Sequence, residues 1–162
     1  MKFYSVFLIC TFVPLAWSHS TGAPKEACSD LTPQHGVSTQ SSSPPYSIGL
    51  SSDVIKSGDP VKITIRGNSG KDLIKGFLAQ ARIGSEPVGT FTAGPNGQTL
   101  DCKGSKDSIT HTKMSGNGVN EVTFSWNPPS DLKGDVSFVA TVVQEFKSNW
   151  IFLWIADDMK TS

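Results

Sequence analysis

The chain has 162 residues, 14 of them lysine or arginine and 14 acidic, with a hydrophobic share of 37%. Balanced charge argues against a nucleic-acid binder, which relies on a basic surface to neutralise phosphates, and against a globally cationic killer peptide. The length suits one domain that buries roughly two-thirds of its unfolded surface.

At the N-terminus, Met1-Lys2 is a short positive start, Phe3 to Ala16 an apolar stretch and Ala16-Trp17-Ser18 a small-x-small cleavage site. Residues 1–18 are therefore expected to be a secretory signal, with the mature domain covering 19–162 and beginning near His19. An uncleaved anchor is the competing reading, but about fourteen apolar residues interrupted by Pro14 fall short of the roughly twenty that span a bilayer. Further on, the apolar run from Trp150 to Ala156 reads as a strand and ends at Asp157-Asp158. The polar tail DDMKTS lacks the hydrophobic end of a lipid-anchor signal. The expectation is a secreted protein with no membrane span. Removing Lys2 with the signal leaves 14 − 1 = 13 basic against 14 acidic residues, a net charge near minus one.

Of the three cysteines, Cys10 would leave with the signal, so Cys28 and Cys102 remain in an oxidising compartment. A bridge between them closes a loop of about 75 residues, which chain entropy values at roughly 4.5 kcal/mol. Two free buried thiols, or pairing between molecules, would account for the same residues.

Taken in order, the segment from Cys28 to Tyr46 (SDLTPQHGVSTQSSSPP between them) has a linker-like composition. Tethered at one end and leading directly into Tyr46, Ile48 and Leu50, it is expected to be irregular but ordered, laid over the domain. Ser57-Gly58-Asp59-Pro60 is a turn, after which Val61, Ile63 and Ile65 alternate with Lys62, Thr64 and Arg66 as a half-buried strand. Ile74 to Ile83 fits helix or strand by periodicity, and Gly76 with the flanking turns favours strand. Pro87 to Ala93 predicts a short strand, 94–102 a loop, and Ile109 to Met114 extended structure. Val122, Phe124 and Trp126 then alternate with Glu121, Thr123 and Ser125, Pro128-Pro129 breaks the pattern, and Val136 to Val143 becomes apolar on both faces. The last two runs read as a hairpin whose second strand is central and covered on both sides. Short runs without a convincing amphipathic helix predict an all-β, antiparallel β-sandwich of seven to nine strands.

Catalytic and metal chemistry find little support. His19, His35 and His111 show no ligand spacing, so no metal or cofactor is expected. A Gly-x-Ser-x-Gly elbow is lacking, and Gly67-Asn68-Ser69-Gly70 and Gly94-Pro95-Asn96-Gly97 are turn sequences rather than phosphate cradles. Neither enzyme activity nor N-linked glycosylation is predicted. Lys103, Lys106 and Lys113, with Arg82 and Lys75, could gather at one end of the sandwich and attract anionic polymers. Scattered solvated charge explains the same cations more simply, and both readings stay open.

Several stretches together resemble the reeler domain, the N-terminal module of reelin, and especially the small secreted insect defence proteins that consist of that domain alone. They are ACSDLTPQHG (27–36), PPYSI (44–48), GFLAQAR (76–82), PVGTF (87–91), SITHTK (108–113) and VTFSWNPPSDLKGDVSFVATVVQ (122–144). The resemblance implies an immunoglobulin-like sandwich, with an N-terminal cysteine paired to a later one as Cys28 and Cys102 would be. It further implies a haemolymph protein of innate immunity, antibacterial and antifungal, that contacts microbial surface polymers such as lipopolysaccharide or fungal and bacterial glycans. An extracellular adhesion module that binds glycosaminoglycan or a host cell surface is the alternative. Where the family ends in an aromatic-Trp-x-Gly pattern, this chain has NWIFLWIA (149–156) without the glycine.

Overall fold

The computed structural model describes residues 21–33, 38–52, 54–56, 58–145 and 148–155. The expected signal at 1–18 with Cys10, the start near His19, His35, and the Asp157-Asp158 tail lie outside the described residues. Ten strands are present among those described: β1 (Tyr46–Leu50), β2 (Val61–Gly67), β3 (Gly76–Ile83), β4 (Glu86–Pro87), β5 (Thr90–Thr92), β6 (Gly97–Leu100), β7 (Ser108–His111), β8 (Glu121–Asn127), β9 (Ser137–Glu145) and β10 (Ser148–Ile155). They form two antiparallel sheets, one in the order β1-β2-β8-β5, the other β10-β9-β3-β7-β6 with β4 attached to β3.

The alternation of β2 and β8 sets the inner face of the smaller sheet. Val61, Ile63 and Ile65 lie opposite Trp126, Phe124 and Val122, and all six are buried. Across the sandwich, β3 and β9 supply Phe77, Ala79 and Ala81 with Phe138, Ala140 and Val142. Large residues of one sheet face large residues of the other. Phe77 stacks on Phe124 at 5.7 Å between ring centroids, and Trp126 meets Phe138 edge-on at 5.3 Å, both geometries that aromatic quadrupoles favour.

Three sequence expectations change. β8 and β9 are not a hairpin: β8 pairs with β2 and β5, while β9 pairs with β3 and β10. Residues 128–136 therefore carry the chain from one sheet to the other, which lets the apolar faces of both strands meet across the core instead of side by side. Residues 86–92 are likewise two strands in different sheets, β4 on β3 and β5 on β8. The switch is made at Gly89, at φ +73°, where an added Cβ would lie 2.4 Å from the Trp126 ring nitrogen. Finally, Gly97–Leu100 is a strand rather than loop, paired with β7, which ends at His111 and does not reach Met114.

The described residues before β1, 21–33 and 38–45, form a strap across the outer face of the larger sheet, as expected for an ordered but irregular segment. Its hydrogen bonds meet the strands in their spatial order. The Gln98 amide on β6 donates to the Thr21 carbonyl, and the Ala23 N–H donates to Thr110 Oγ1 on β7 at 2.9 Å. On β3, Gln80 Nε2 reaches the Cys28 carbonyl at 3.3 Å, and on β9 the Thr141 hydroxyl donates to the Leu31 carbonyl at 2.6 Å. Beyond 34–37, the Gln40 N–H donates to the Asn149 carbonyl on β10 at 2.9 Å. Gly22 fits the closest approach, since an added Cβ would lie 2.5 Å from Gln98 Nε2. A one-turn 3₁₀ helix, Lys25–Cys28, places Ala27 and then Leu31 against Leu78, with Ala23, Leu100 and Val139 around them. This second, smaller core explains why six successive residues of β3, Gly76 to Ala81, are buried.

Candidate functional site at the disulfide end

Cys28 and Cys102 are joined, with their Cα atoms 5.7 Å apart. The bridge fastens the 3₁₀ turn of the strap to the loop between β6 and β7. That loop, residues 101–107, is organised by one buried carboxylate. Asp107 accepts the backbone N–H groups of Cys102, Lys103 and Gly104 at 2.8, 2.8 and 2.6 Å, and the Ser108 hydroxyl at 3.1 Å. Burial works to raise the pKa of Asp107, but these donors prevail and hold it below the usual carboxylate value. Asp101 adds a bond from the Lys106 N–H at 2.7 Å, fixing Lys106 at φ +54°.

Beside the bridge is an open hollow of about 320 Å³, walled by Lys25, Cys28, Ser85, Glu86, Cys102 and Lys103 among others. Lys103 Nζ bonds both oxygens of Glu86, at 2.7 and 2.6 Å. This hydrogen bond and the lysine's charge hold the Glu86 carboxyl below its ordinary range. Lys25 and Lys106 have no ion pair among the described residues. The hollow thus has a mixed-charge rim of two lysines and two glutamates, Lys25, Glu26, Glu86 and Lys103, with Lys106 outside it.

The five cations considered from sequence do not gather. β7 separates Lys103 and Lys106, before its start, from Lys113, beyond its end, by roughly 15–20 Å at about 3.3 Å per extended residue. Because β3 runs antiparallel to β7, Lys75 belongs with the Lys113 end and Arg82 with the disulfide end. Arg82 is not a free surface cation either. Its guanidinium donates to the Cys28 and Ser29 carbonyls at 3.0 and 3.1 Å and to Gln80 Oε1 at 2.7 Å, and burial lowers its pKa against the pull of Glu86 and Asp30. Lys75 lies 3.9 Å from Glu145.

His111, read from sequence as lying within a strand, ends β7, and its Nδ1 accepts the Phe77 N–H at 3.1 Å. Sequence reasoning missed Gln80 and Asp107. Gln80 had a visible signal, a lone amide inside the apolar run GFLAQA, whereas nothing marked Asp107 apart from other surface carboxylates. Among the described residues, no group of three or more His, Cys, Asp or Glu side chains could hold a metal ion. No helix there is long and apolar enough to cross a membrane.

The reeler domain model matches residues 26–156, most of the chain. The chain belongs to the reeler domain family. It is 44% identical to defense protein l(2)34Fc of Drosophila melanogaster over 83% of this chain and 84% of the relative. Hdd11 of Hyphantria cunea, whose name carries the same words, is 38% identical over 92% of this chain and 90% of its own. A ferric-chelate reductase of Bos taurus is 30% identical over 91% of this chain but only 25% of the reductase. Among solved structures, the Reelin-N domain of F-spondin superposes with a TM-score of 0.58 at 17% identity, covering 74% of this chain and 91% of that one. That likeness establishes the reeler fold, a two-sheet antiparallel sandwich.

Proposed function

We propose that this protein is a secreted, non-catalytic defence protein that binds the surface polymers of bacteria and fungi, lipopolysaccharide and cell-wall glycans among them. The observation that carries the reading is the near full-length similarity, at 44% and 38% identity, to reeler proteins named for defence. A half-exposed cystine is in keeping with secretion, because such bridges persist in oxidising compartments. Lys103 and Lys106 sit on a loop whose backbone is pre-shaped by Asp107 and Asp101, so an anionic polymer meeting them would have little backbone to order. Lys113, at the far end of β7, would act as a separate contact.

Binding of the purified mature protein to whole bacteria, fungal cells and heparin, measured side by side, tests the reading. Affinity for microbial surfaces should fall as salt rises, since exposed charges are screened. Lys103→Gln with Lys106→Gln should weaken binding more than Lys113→Gln alone. Equal affinity in all three proteins would remove the lysines from the reading, and capture by heparin with no microbial binding would favour the adhesion module instead. N-terminal sequencing of the secreted protein should begin at or near His19, and finding Met1 would overturn the processing step.

A further inference from the structure

The strap and the sandwich beneath it are held by different forces. Among the described residues, the main core contains nothing before Tyr46, whereas the strap's apolar residues Ala27 and Leu31 belong to the small separate cluster on Leu78. Between residues 21 and 33, the covalent tie to the sheet is the Cys28–Cys102 bridge. Both cysteines are half-buried and line the open hollow, so a small or flexible thiolate can approach the sulfurs without unfolding the domain. The remaining ties are hydrogen bonds and the burial of Ala23, Ala27 and Leu31 in the small cluster, spread along about a dozen residues whose ordering entropy opposes them.

We propose that this disulfide is a reversible latch: a dithiol reductant opens it, and residues 21–33 lift from the outer face of the larger sheet while the sandwich stays folded. One thiolate of the dithiol attacks a cystine sulfur, giving a mixed disulfide and expelling the other cysteine as a thiolate that takes a proton from solvent. The second thiol of the reductant then displaces the remaining cysteine. In total the protein cystine gains two electrons and two protons, and the dithiol becomes a disulfide. Lifting the strap uncovers Leu78, Leu100 and Val139 and takes from Arg82 the two carbonyl acceptors at Cys28 and Ser29. The reduced protein would therefore present a face, part apolar and part cationic, that the oxidised protein covers. The strap would stay attached through Gln40 and Ser42, which meet β10 at Asn149 and Trp150.

Hydrogen exchange of the mature protein, read by mass spectrometry with and without dithiothreitol and paired with thiol alkylation, tests the latch. On reduction, peptides from 21–33 should exchange faster on the order of a hundredfold, because loss of the cross-link frees the segment to open locally. Peptides from β2, β3 and β8 should keep their protection, since their amides are held by neighbouring strands, and the near-ultraviolet signal of buried Trp126 should persist. The double variant Cys28→Ser/Cys102→Ser should reproduce the reduced pattern without reductant. Loss of protection throughout the domain on reduction would overturn the latch, as would unchanged exchange in 21–33 or a bridge that resists dithiothreitol until denaturant is added.

Discussion

Replacing Trp126 with alanine tests whether the two sheets are joined as described. The indole is fully buried, donates Nε1–H to the Val88 carbonyl at 2.8 Å and meets Phe138 edge-on at 5.3 Å. Truncating a buried aromatic to alanine costs about 3–5 kcal/mol through lost transfer energy and an unfilled cavity. The lost hydrogen bond to the carbonyl of half-buried Val88 adds about 0.5–1.5 kcal/mol. At about 3 °C per kcal/mol for a domain near this size, the melting temperature should drop by more than about 10 °C. Trp126→Phe keeps most of the ring contact and should lose only about 1–3 kcal/mol, shared between the hydrogen bond and the smaller ring. Urea unfolding followed by circular dichroism measures both. A loss below about 1 kcal/mol in the alanine variant would refute the role of Trp126 as the inter-sheet anchor, because no core cavity of that size heals so cheaply.

Three more outcomes follow from single groups. Tyr46, the one tyrosine after residue 18, donates its hydroxyl to the Leu73 carbonyl and has its pKa pushed up to about 12 by burial and by Asp72. Phenolate absorbance should therefore rise near pH 12, and the stability that the neutral ring confers, complete below pH 10, should fade between the two values; titration at pH 10 would contradict this. The lowered pKa of Asp107 makes its contribution complete above the ordinary aspartate value and lost as pH falls through the folded one, so Asp107→Asn should cost upward of about 2 kcal/mol at pH 7 and flatten the acid side of a stability profile. An unchanged profile would show that the 101–107 loop does not depend on it. Asn149 is fully buried with neither amide atom hydrogen-bonded among the described residues, so Asn149→Leu should raise stability by about 1–2 kcal/mol in the same urea assay, and a decrease would point to a partner for that amide.

The parts of the fold legible in the sequence are those with period-two burial. β2 and β8 each present three large apolar residues to one side, and their strand assignments are correct to within a residue or so. Connection was harder to read than conformation. Pro128-Pro129 signals that a strand ends, but the same residues suit a hairpin and a crossing between sheets, and only the partners of β8 and β9 decide. β6 escaped notice because Gly97-Gln98-Thr99-Leu100 has no apolar alternation; its four residues are all half-buried. For the site, the lysines could be named from sequence but not grouped. Whether Lys103 and Lys113 are neighbours depends on where β7 begins and ends, and four strand residues between them are enough to part them.

The strap accounts for the polar residues that sequence reasoning could not place. An outward-facing glutamine and arginine on a central strand would ordinarily be solvated, yet Gln80 is fully buried. A buried amide or guanidinium costs several kcal/mol unless it is hydrogen-bonded. The backbone of the strap meets that need. As the chain leaves the 3₁₀ turn Lys25–Cys28, the Cys28 and Ser29 carbonyls turn to Gln80 and Arg82, while the same Gln80 Nε2 also donates to Ser108 Oγ at 2.8 Å and Gln80 Oε1 accepts from Arg82. Ser108 in turn bonds Asp107, the carboxylate that shapes the loop bearing Cys102. Strap and loop are thus joined twice, once directly through sulfur and once by way of β3 through this polar chain. The chain of hydrogen bonds sets where the strap lies when docked, and the disulfide sets how firmly it stays there, so substituting Gln80 and reducing the bridge should perturb different properties of the same segment.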